Sequence, residues 1–265
     1  MAPGTPLIVQ RESGVDYVTL HRPAVRNTLD DSVIAALTQW ADAAAQDSDL
    51  RLAVLSGSGK TFCSGADLVW MAHAVDYDYE QNLHEAWALS RLFARLDTLP
   101  FPPVGRLHGA ALAAGVGLAA VCDVSIATED TVFGLTEVKL DVIPAVISPY
   151  VVAKIGASAA RHLFLTGERF SARRAYQLGL VHQVPQPDAL DTTVERVVGQ
   201  LRAAGPKAIA AAKALIAAVN GRPPAKVAEL TVETIADLWV TEEAQDGMRA
   251  FLDKRTPGWL EGDDS

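Results

Sequence analysis

Two short segments pass from an apolar, strand-like run into a run of helical character through small residues. They are Phe62-Cys63-Ser64-Gly65-Ala66-Asp67-Leu68 and His108-Gly109-Ala110-Ala111-Leu112-Ala113-Ala114-Gly115. Each presents free backbone N–H groups near a helix start, where the dipole favours negative charge. One N–H from each turn, aimed at a common point, makes an oxyanion hole that stabilises charge developing on a carbonyl oxygen. Small residues at strand–helix turns equally suit plain tight packing, so spacing alone leaves both readings open.

Other motifs fail on inspection. Leu55–Thr61 resembles a phosphate loop, but that pattern needs glycine five residues before Gly59, where Val54 stands. Gly115-Val116-Gly117-Leu118-Ala119-Ala120 fits G-x-G-x-x-A, and Glu137 follows Gly117 by 20 residues, as a ribose acid would. A dinucleotide fingerprint begins at the end of a strand, however, and His108–Ala114 intervenes after Leu107. The six histidines are scattered without metal-ligand spacing, and no metal site is expected. Cys63 lies inside the first turn but has no basic neighbour in sequence to activate it. Read alone, Glu137 is a surface acid at an element edge.

The elements that position these turns follow from periodicity. Leu7–Val9 and Tyr17–Leu20 read as strands around a Ser13-Gly14 turn. Asp30 and Asp31 open a helix, and Arg51–Ser56, Val104–Leu107 and Val124–Ala127 read as strands. Leu83, Trp87, Leu89, Leu92, Phe93 and Leu96 recur at helical spacing, predicting a helix over 80–98 whose stripe is an acyl-pocket wall or plain core. Gly109–Val121 suits a tight turn feeding a buried helix. After Pro144 only Val181–Val184 reads as a strand, and helices are expected over 145–165, 171–178, 188–204, 206–219 and 225–253. An α/β core over residues 1–190 with a helical region over 191–265 follows.

Composition narrows the function classes. The 265 residues are 49% hydrophobic and 21% charged, with a net charge of −9. An acidic balance argues against nucleic acid, which needs a basic face. Two cysteines give no disulfide framework. No apolar run reaches membrane-spanning length, and Met1–Leu7 lacks the pattern of a signal peptide, so a cytoplasmic location is expected.

The segment Phe62–Leu68 resembles F-x-x-G-A-D-[LI]. His108–Leu118 through Cys122-Asp123 resembles a second glycine-rich turn, Phe133–Glu137 resembles F-G-x-x-E, and Leu163–Leu180 and Gly247–Lys254 match in order. By these segments the chain is identified as a member of the enoyl-CoA hydratase/isomerase (crotonase) superfamily, over about residues 6 to 259. Trp70-Met71, Glu80–Leu83 and Ile143–Tyr150 look most like its bacterial methylglutaconyl-CoA hydratase-like branch.

The resemblance implies a crotonase-like spiral of ββα units with a helical C-terminal oligomerisation region, forming a trimer or dimer of trimers. It implies an acyl-CoA thioester as substrate, so that coenzyme A arrives with the substrate and no separate cofactor is needed. Carried over, the oxyanion donors are the N–H groups of Ala66 and Ala114, and Glu137 is the catalytic carboxylate. Ala113-Ala114 stands where the family usually has Gly-Gly, which is tolerable at Ala114 if its φ is negative. Gly117 stands where typical hydratases carry a second glutamate; a second acid is left to Asp67, Asp141, Tyr150 or none. Arg22, Arg26, Ala66, Asp67, Leu68 and Val69 fall in the coenzyme A segments, with Phe251 and Lys254 reaching a neighbouring subunit's nucleotide. The expected activity is hydration of a 2-enoyl-CoA. The alternatives are 3,2-enoyl-CoA isomerisation by one glutamate, or a weakened acyl-CoA binder. Gly117→Glu is expected to raise hydration or leave it unchanged.

Overall fold

Ser13 and Gly14 both have positive φ, 47° and 73°, the geometry a two-residue hairpin turn of primed type requires. They close an antiparallel pair, β1 (Leu7–Glu12) on β2 (Val15–Leu20). In this computed structural model, which describes residues 5–260, β2 pairs in parallel with β3 (Leu52–Gly57), followed by β4 (Pro103–Leu107) and β6 (Val124–Ala127). The order is β1-β2-β3-β4-β6. A second sheet, ordered β5-β7-β8, joins β5 (Ala110–Leu112), β7 (Val132–Gly134) and β8 (Arg169–Ser171). The Met1–Gly4 part of the segment read above as lacking a signal pattern lies outside the described residues.

The main sheet is covered on both faces, which is why β3 is nearly all apolar rather than alternating. Leu52 and Val54 point, with Val15, Val104 and Ile126, to one face. There α7 (Leu190–Arg202) lays down Leu190, Val194, Val197 and Val198 at helical spacing. Ala53 and Leu55 point the other way, into the larger core of α1 (Asp31–Ala44), α3 (Tyr79–Asp97), α4 (Ala114–Val121) and α5 (Ser148–Thr166). Every residue of α4 is buried, so it is apolar all round. Asp30 caps α1 by accepting from Val33 N–H at 3.1 Å, and Asp78 with Gln81 forms a capping box on α3.

Several expectations are corrected. Val181–Val184 is not a strand. It touches β6 through one bridge, Ile126 to Gln183, and Pro185 has no N–H to extend a ladder. The 225–253 helix is two, α9 (Pro224–Trp239) and α10 (Glu242–Asp253), because Thr241 caps the second. The 145–165 helix begins at Ser148 and is interrupted at Gly156, where φ is 74°. The stripe on α3 divides: Leu92, Phe93 and Leu96 are core, whereas Leu83 and Trp87 are 37% and 56% exposed. Helix α2 (Leu68–Asp76) starts where the first turn was read to enter a helix, whereas strands β5, β7 and β8 were not foreseen. Helix α6 (Ala172–Gln177) and α8 (Pro206–Val219) fall where expected.

Candidate active site

The two glycine-rich turns are knitted to each other by backbone hydrogen bonds. Phe62 N–H donates to His108 O at 2.9 Å, Cys63 N–H to Ala110 O at 3.1 Å, and Leu112 N–H to Cys63 O at 3.0 Å. At Gly115 an added Cβ would run into Cys63 O, so the second turn lies directly on the first, and only glycine allows that approach. The first turn is also held from outside. Leu29 N–H donates to Gly65 O at 2.8 Å, and Asp67 N–H donates to Leu29 O at 2.8 Å.

Between these anchors, the N–H groups of Ala66 and Ala114 have no acceptor among the described residues. Ala114 is the first residue of α4, where helical geometry supplies no acceptor and the dipole is positive. Its φ is not positive, which meets the condition set by the sequence. The positive φ falls one residue earlier, on Ala113, at φ 48° and ψ −117°.

Asp67 ends the first turn as the N-cap of α2. Its Oδ1 accepts from Val69 N–H at 2.9 Å and Trp70 N–H at 3.5 Å, and its Oδ2 accepts from Thr28 Oγ1 at 3.0 Å and Arg22 Nη2 at 3.2 Å. Burial pushes its carboxyl up, but these hydrogen bonds and the Arg22 charge outweigh burial and hold it below the usual range. Both oxygens are thus committed to the fold. Arg22 is committed likewise: Nη2 also meets Asp30 Oδ2 at 2.8 Å, and Nη1 donates to Thr28 O at 2.8 Å. Sequence reasoning passed over Asn27, which is buried and ties the same loop by donating to Ser58 O at 2.8 Å and Thr61 O at 2.7 Å. The Arg26 side chain is exposed and has no hydrogen-bond or ion-pair partner among the described residues, while its backbone is bonded to Pro23 O and Ser64 N–H, each at 3.1 Å. Leu68 and Val69 are exposed on α2. Phe251 is 84% exposed on α10, and Lys254 ends that helix with φ 56°.

Glu137 begins a one-turn 3-10 helix, Glu137–Leu140. Its strand of origin, β7, is anchored beside the second turn, since Ala113 N–H donates to Gly134 O at 2.8 Å. The Glu137 carboxyl is half-buried, and Oε2 is shielded without a hydrogen-bond partner. Burial raises its pKa above the ordinary glutamate value, partly opposed by a hydrogen bond from its own backbone, and no cation contributes. A carboxyl poised in this way exchanges protons more readily near neutral pH than a solvated one.

The place of a second carboxylate at Gly117 is filled. A Cβ there would collide with Ile147 Cγ2 and lie 2.9 Å from both Ile147 Cβ and Phe93 Cε1. This packing opposes the sequence-based expectation that Gly117→Glu preserves or raises activity. Of the candidate second acids, Asp67 is used as a cap. Tyr150 packs its ring on Phe93 with centroids 5.9 Å apart, and burial raises its pKa, with Asp97 adding to the effect. Asp141 has a left-handed backbone just past the 3-10 turn. Cys63 is wholly buried, which pushes its thiol up to about 12 and leaves it inert. A cavity of about 510 Å³ between α1 and α3, lined by residues such as Asp31, Thr38 and Glu85, contains neither turn nor Glu137 and is not the reaction site.

A mixed α/β spiral with two knitted strand–turn–helix junctions and the half-buried Glu137 beside the second of them is the frame of a crotonase-type enzyme. The chain belongs to the enoyl-CoA hydratase/isomerase family, whose model matches residues 10–262. It is 34% identical to the 2,3-dehydroadipyl-CoA hydratase of Escherichia coli, covering 95% of this chain and 97% of that protein. It is 29% identical to the trans-2-decenoyl-[acyl-carrier-protein] isomerase of Streptococcus mutans, over 93% of this chain and 94% of that one. A crystal structure of an enoyl-CoA hydratase from Shewanella pealeana superposes with a TM-score of 0.92 at 36% identity, covering 96% of each chain.

Proposed function

We propose that the protein is an enoyl-CoA hydratase that adds water across the double bond of a 2-enoyl-CoA, or removes it in reverse. The observation that carries this reading is the half-buried Glu137 carboxyl, whose Oε2 is shielded without a hydrogen-bond partner, on a segment bonded to the turn that offers Ala114 N–H. The thioester oxygen accepts from Ala66 N–H and Ala114 N–H. The Glu137 carboxylate takes a proton from water as the hydroxyl oxygen bonds to the β-carbon. The double-bond electrons move to form the enolate, whose charge rests on the two N–H groups. Glu137 then returns the proton to the α-carbon and is regenerated.

Coenzyme A enters as part of the substrate, and no other cofactor is called for. Its phosphates meet a protein of net charge −9, so local cations must offset repulsion. In this reading Arg26 is the cation for that role, in the loop between β2 and α1, where its carbonyl accepts from Ser64 N–H of the first turn at 3.1 Å, with Lys254 and Phe251 supplied by a neighbouring copy. Leu68 and Val69 line the pantetheine side. Arg22 and Asp67, ion-paired to each other, hold this wall in place rather than contacting phosphate. In the helical region 191–265, apolar side chains stay exposed on α8 to α10, among them Ile216, Val232, Trp239 and Phe251. Their exposure, which association would remove, supports a trimer or dimer of trimers.

A second reading, 3,2-enoyl-CoA isomerase, is favoured by the filled site at Gly117, because one pivoting carboxylate can move a proton from the α- to the γ-carbon. The likeness of Trp70-Met71 and Ile143–Tyr150 to a hydratase branch weighs the other way. Thermal shift against crotonyl-CoA and NAD(H) tests the class. At roughly 100 times Kd the bound ligand adds about 2.7 kcal/mol, a rise of several degrees, and NAD(H) adds none. Stabilisation by NAD(H) alone would refute the reading; stabilisation by crotonyl-CoA without turnover would leave a binder, not an enzyme.

A further inference from the structure

We infer that Ala113 is a positioning residue for the two donors: its methyl group is wedged in the seam between the two turns and fixes how Ala66 N–H and Ala114 N–H face each other. The inference rests on the oxyanion reading above and refines it. At φ 48° and ψ −117°, Ala113 holds a backbone conformation that glycine adopts freely and a residue with a Cβ adopts only under constraint. The constraint is visible. Its N–H donates to Gly134 O at 2.8 Å, and its carbonyl accepts from Val116 N–H at 2.8 Å and Gly117 N–H at 3.3 Å.

The methyl has a defined seat. A Cβ added to Gly65 would lie 2.9 Å from Ala113 Cβ and 3.1 Å from Leu112 O. The seam therefore holds one methyl and not two, and the chain places it on the second turn. Gly65 immediately precedes Ala66, and Ala113 immediately precedes Ala114. The contact thus falls one residue before each donor, where a small rotation of the backbone re-aims the N–H. Replacing the methyl by hydrogen opens the seam and widens the backbone freedom of residue 113, while relieving its strain. Stability and catalysis are then expected to move in opposite directions, which a purely structural methyl would not do.

The test compares the full-length protein with Ala113→Gly and Ala113→Ser. The readouts are thermal midpoint, kcat and KM for 2-enoyl-CoA hydration, and the carbonyl stretching frequency of a bound aryl-enoyl-CoA measured by difference Raman spectroscopy. That frequency falls when hydrogen bonds polarise the carbonyl. Ala113→Gly is expected to raise the midpoint, lower kcat about tenfold with KM changed by less than about twofold, and show a smaller frequency drop. Ala113→Ser keeps the Cβ and is expected to retain both kcat and the frequency drop. No drop in the wild type overturns the oxyanion reading and the wedge with it. A wild-type drop reproduced in full by Ala113→Gly, at unchanged kcat, overturns the wedge alone.

Discussion

Gly117→Ala places one methyl group where the core has no room. Its Cβ would collide with Ile147 Cγ2 and sit 2.9 Å from Phe93 Cε1, and both neighbours are buried side chains without slack. Overpacking of this kind costs about 1–3 kcal/mol. Alanine's better helix propensity returns about 1 kcal/mol. The net expectation is a loss of up to roughly 2 kcal/mol, which lowers the thermal midpoint by up to about 8 °C in a chain of this size. Ile147→Ala alone leaves a cavity and costs about 2–5 kcal/mol. In the double variant the new methyl enters the vacated space, so the two losses should fail to add, with a coupling of about 1 kcal/mol or more. Urea unfolding of the four proteins closes the cycle. Additive losses would refute the claim that Ile147 and Phe93 occupy this site. By the same packing, Gly117→Glu is expected to misfold, because it adds an unpaired buried charge to the steric conflict.

Glu137→Gln is expected to lower hydration by at least about 100-fold while stabilising the fold at neutral pH. The folded pKa of Glu137 is raised by burial, so the native state holds its proton more tightly; the stability difference from Gln is absent below the ordinary glutamate pKa and grows as pH rises through the folded value. Urea midpoints at pH 4 and pH 7 check the sign. Asp67→Asn should cost stability at neutral pH by weakening the α2 cap and the Arg22 pair. Since burial is outweighed and its pKa is depressed, that difference should shrink as pH falls below the ordinary carboxylate range through the folded value. Arg26→Ala should leave the thermal midpoint unchanged, having no partner to lose, and raise KM for acyl-CoA in a manner that fades at high salt.

What could be read from the sequence follows from how each element is buried. Strands β3, β4 and β6 carry apolar runs long enough to register, and α4 was visible because it is apolar on every face. Strands β5, β7 and β8 have three residues each, too few to show alternation. The start of helix α2 was legible in its turn but its extent was not, because Leu68, Val69 and Val75 are exposed and trace no core-facing stripe. The two turns announced themselves by their small residues, but the choice of Ala66, Ala114 and Glu137 came from family likeness. The obstruction at Gly117 was illegible because Phe93 and Ile147 reach it only through the packing of α3 and the entry to α5. Arg22 was carried over as a coenzyme A residue by family likeness, and its ion pairs with Asp30 and Asp67 were illegible because the fold brings these partners to it.

The central claim is that Glu137 drives water addition to a thioester held by the two turns. Crotonyl-CoA mixed with the wild-type protein in isotope-labelled water should lose its conjugated absorbance as one labelled oxygen appears on the β-carbon of the product, by mass. Glu137→Gln should bind the same thioester and leave it unchanged. Labelled product at the wild-type rate from Glu137→Gln, or conversion of a 3-enoyl-CoA to its conjugated isomer with no labelled product from either thioester, would contradict the account.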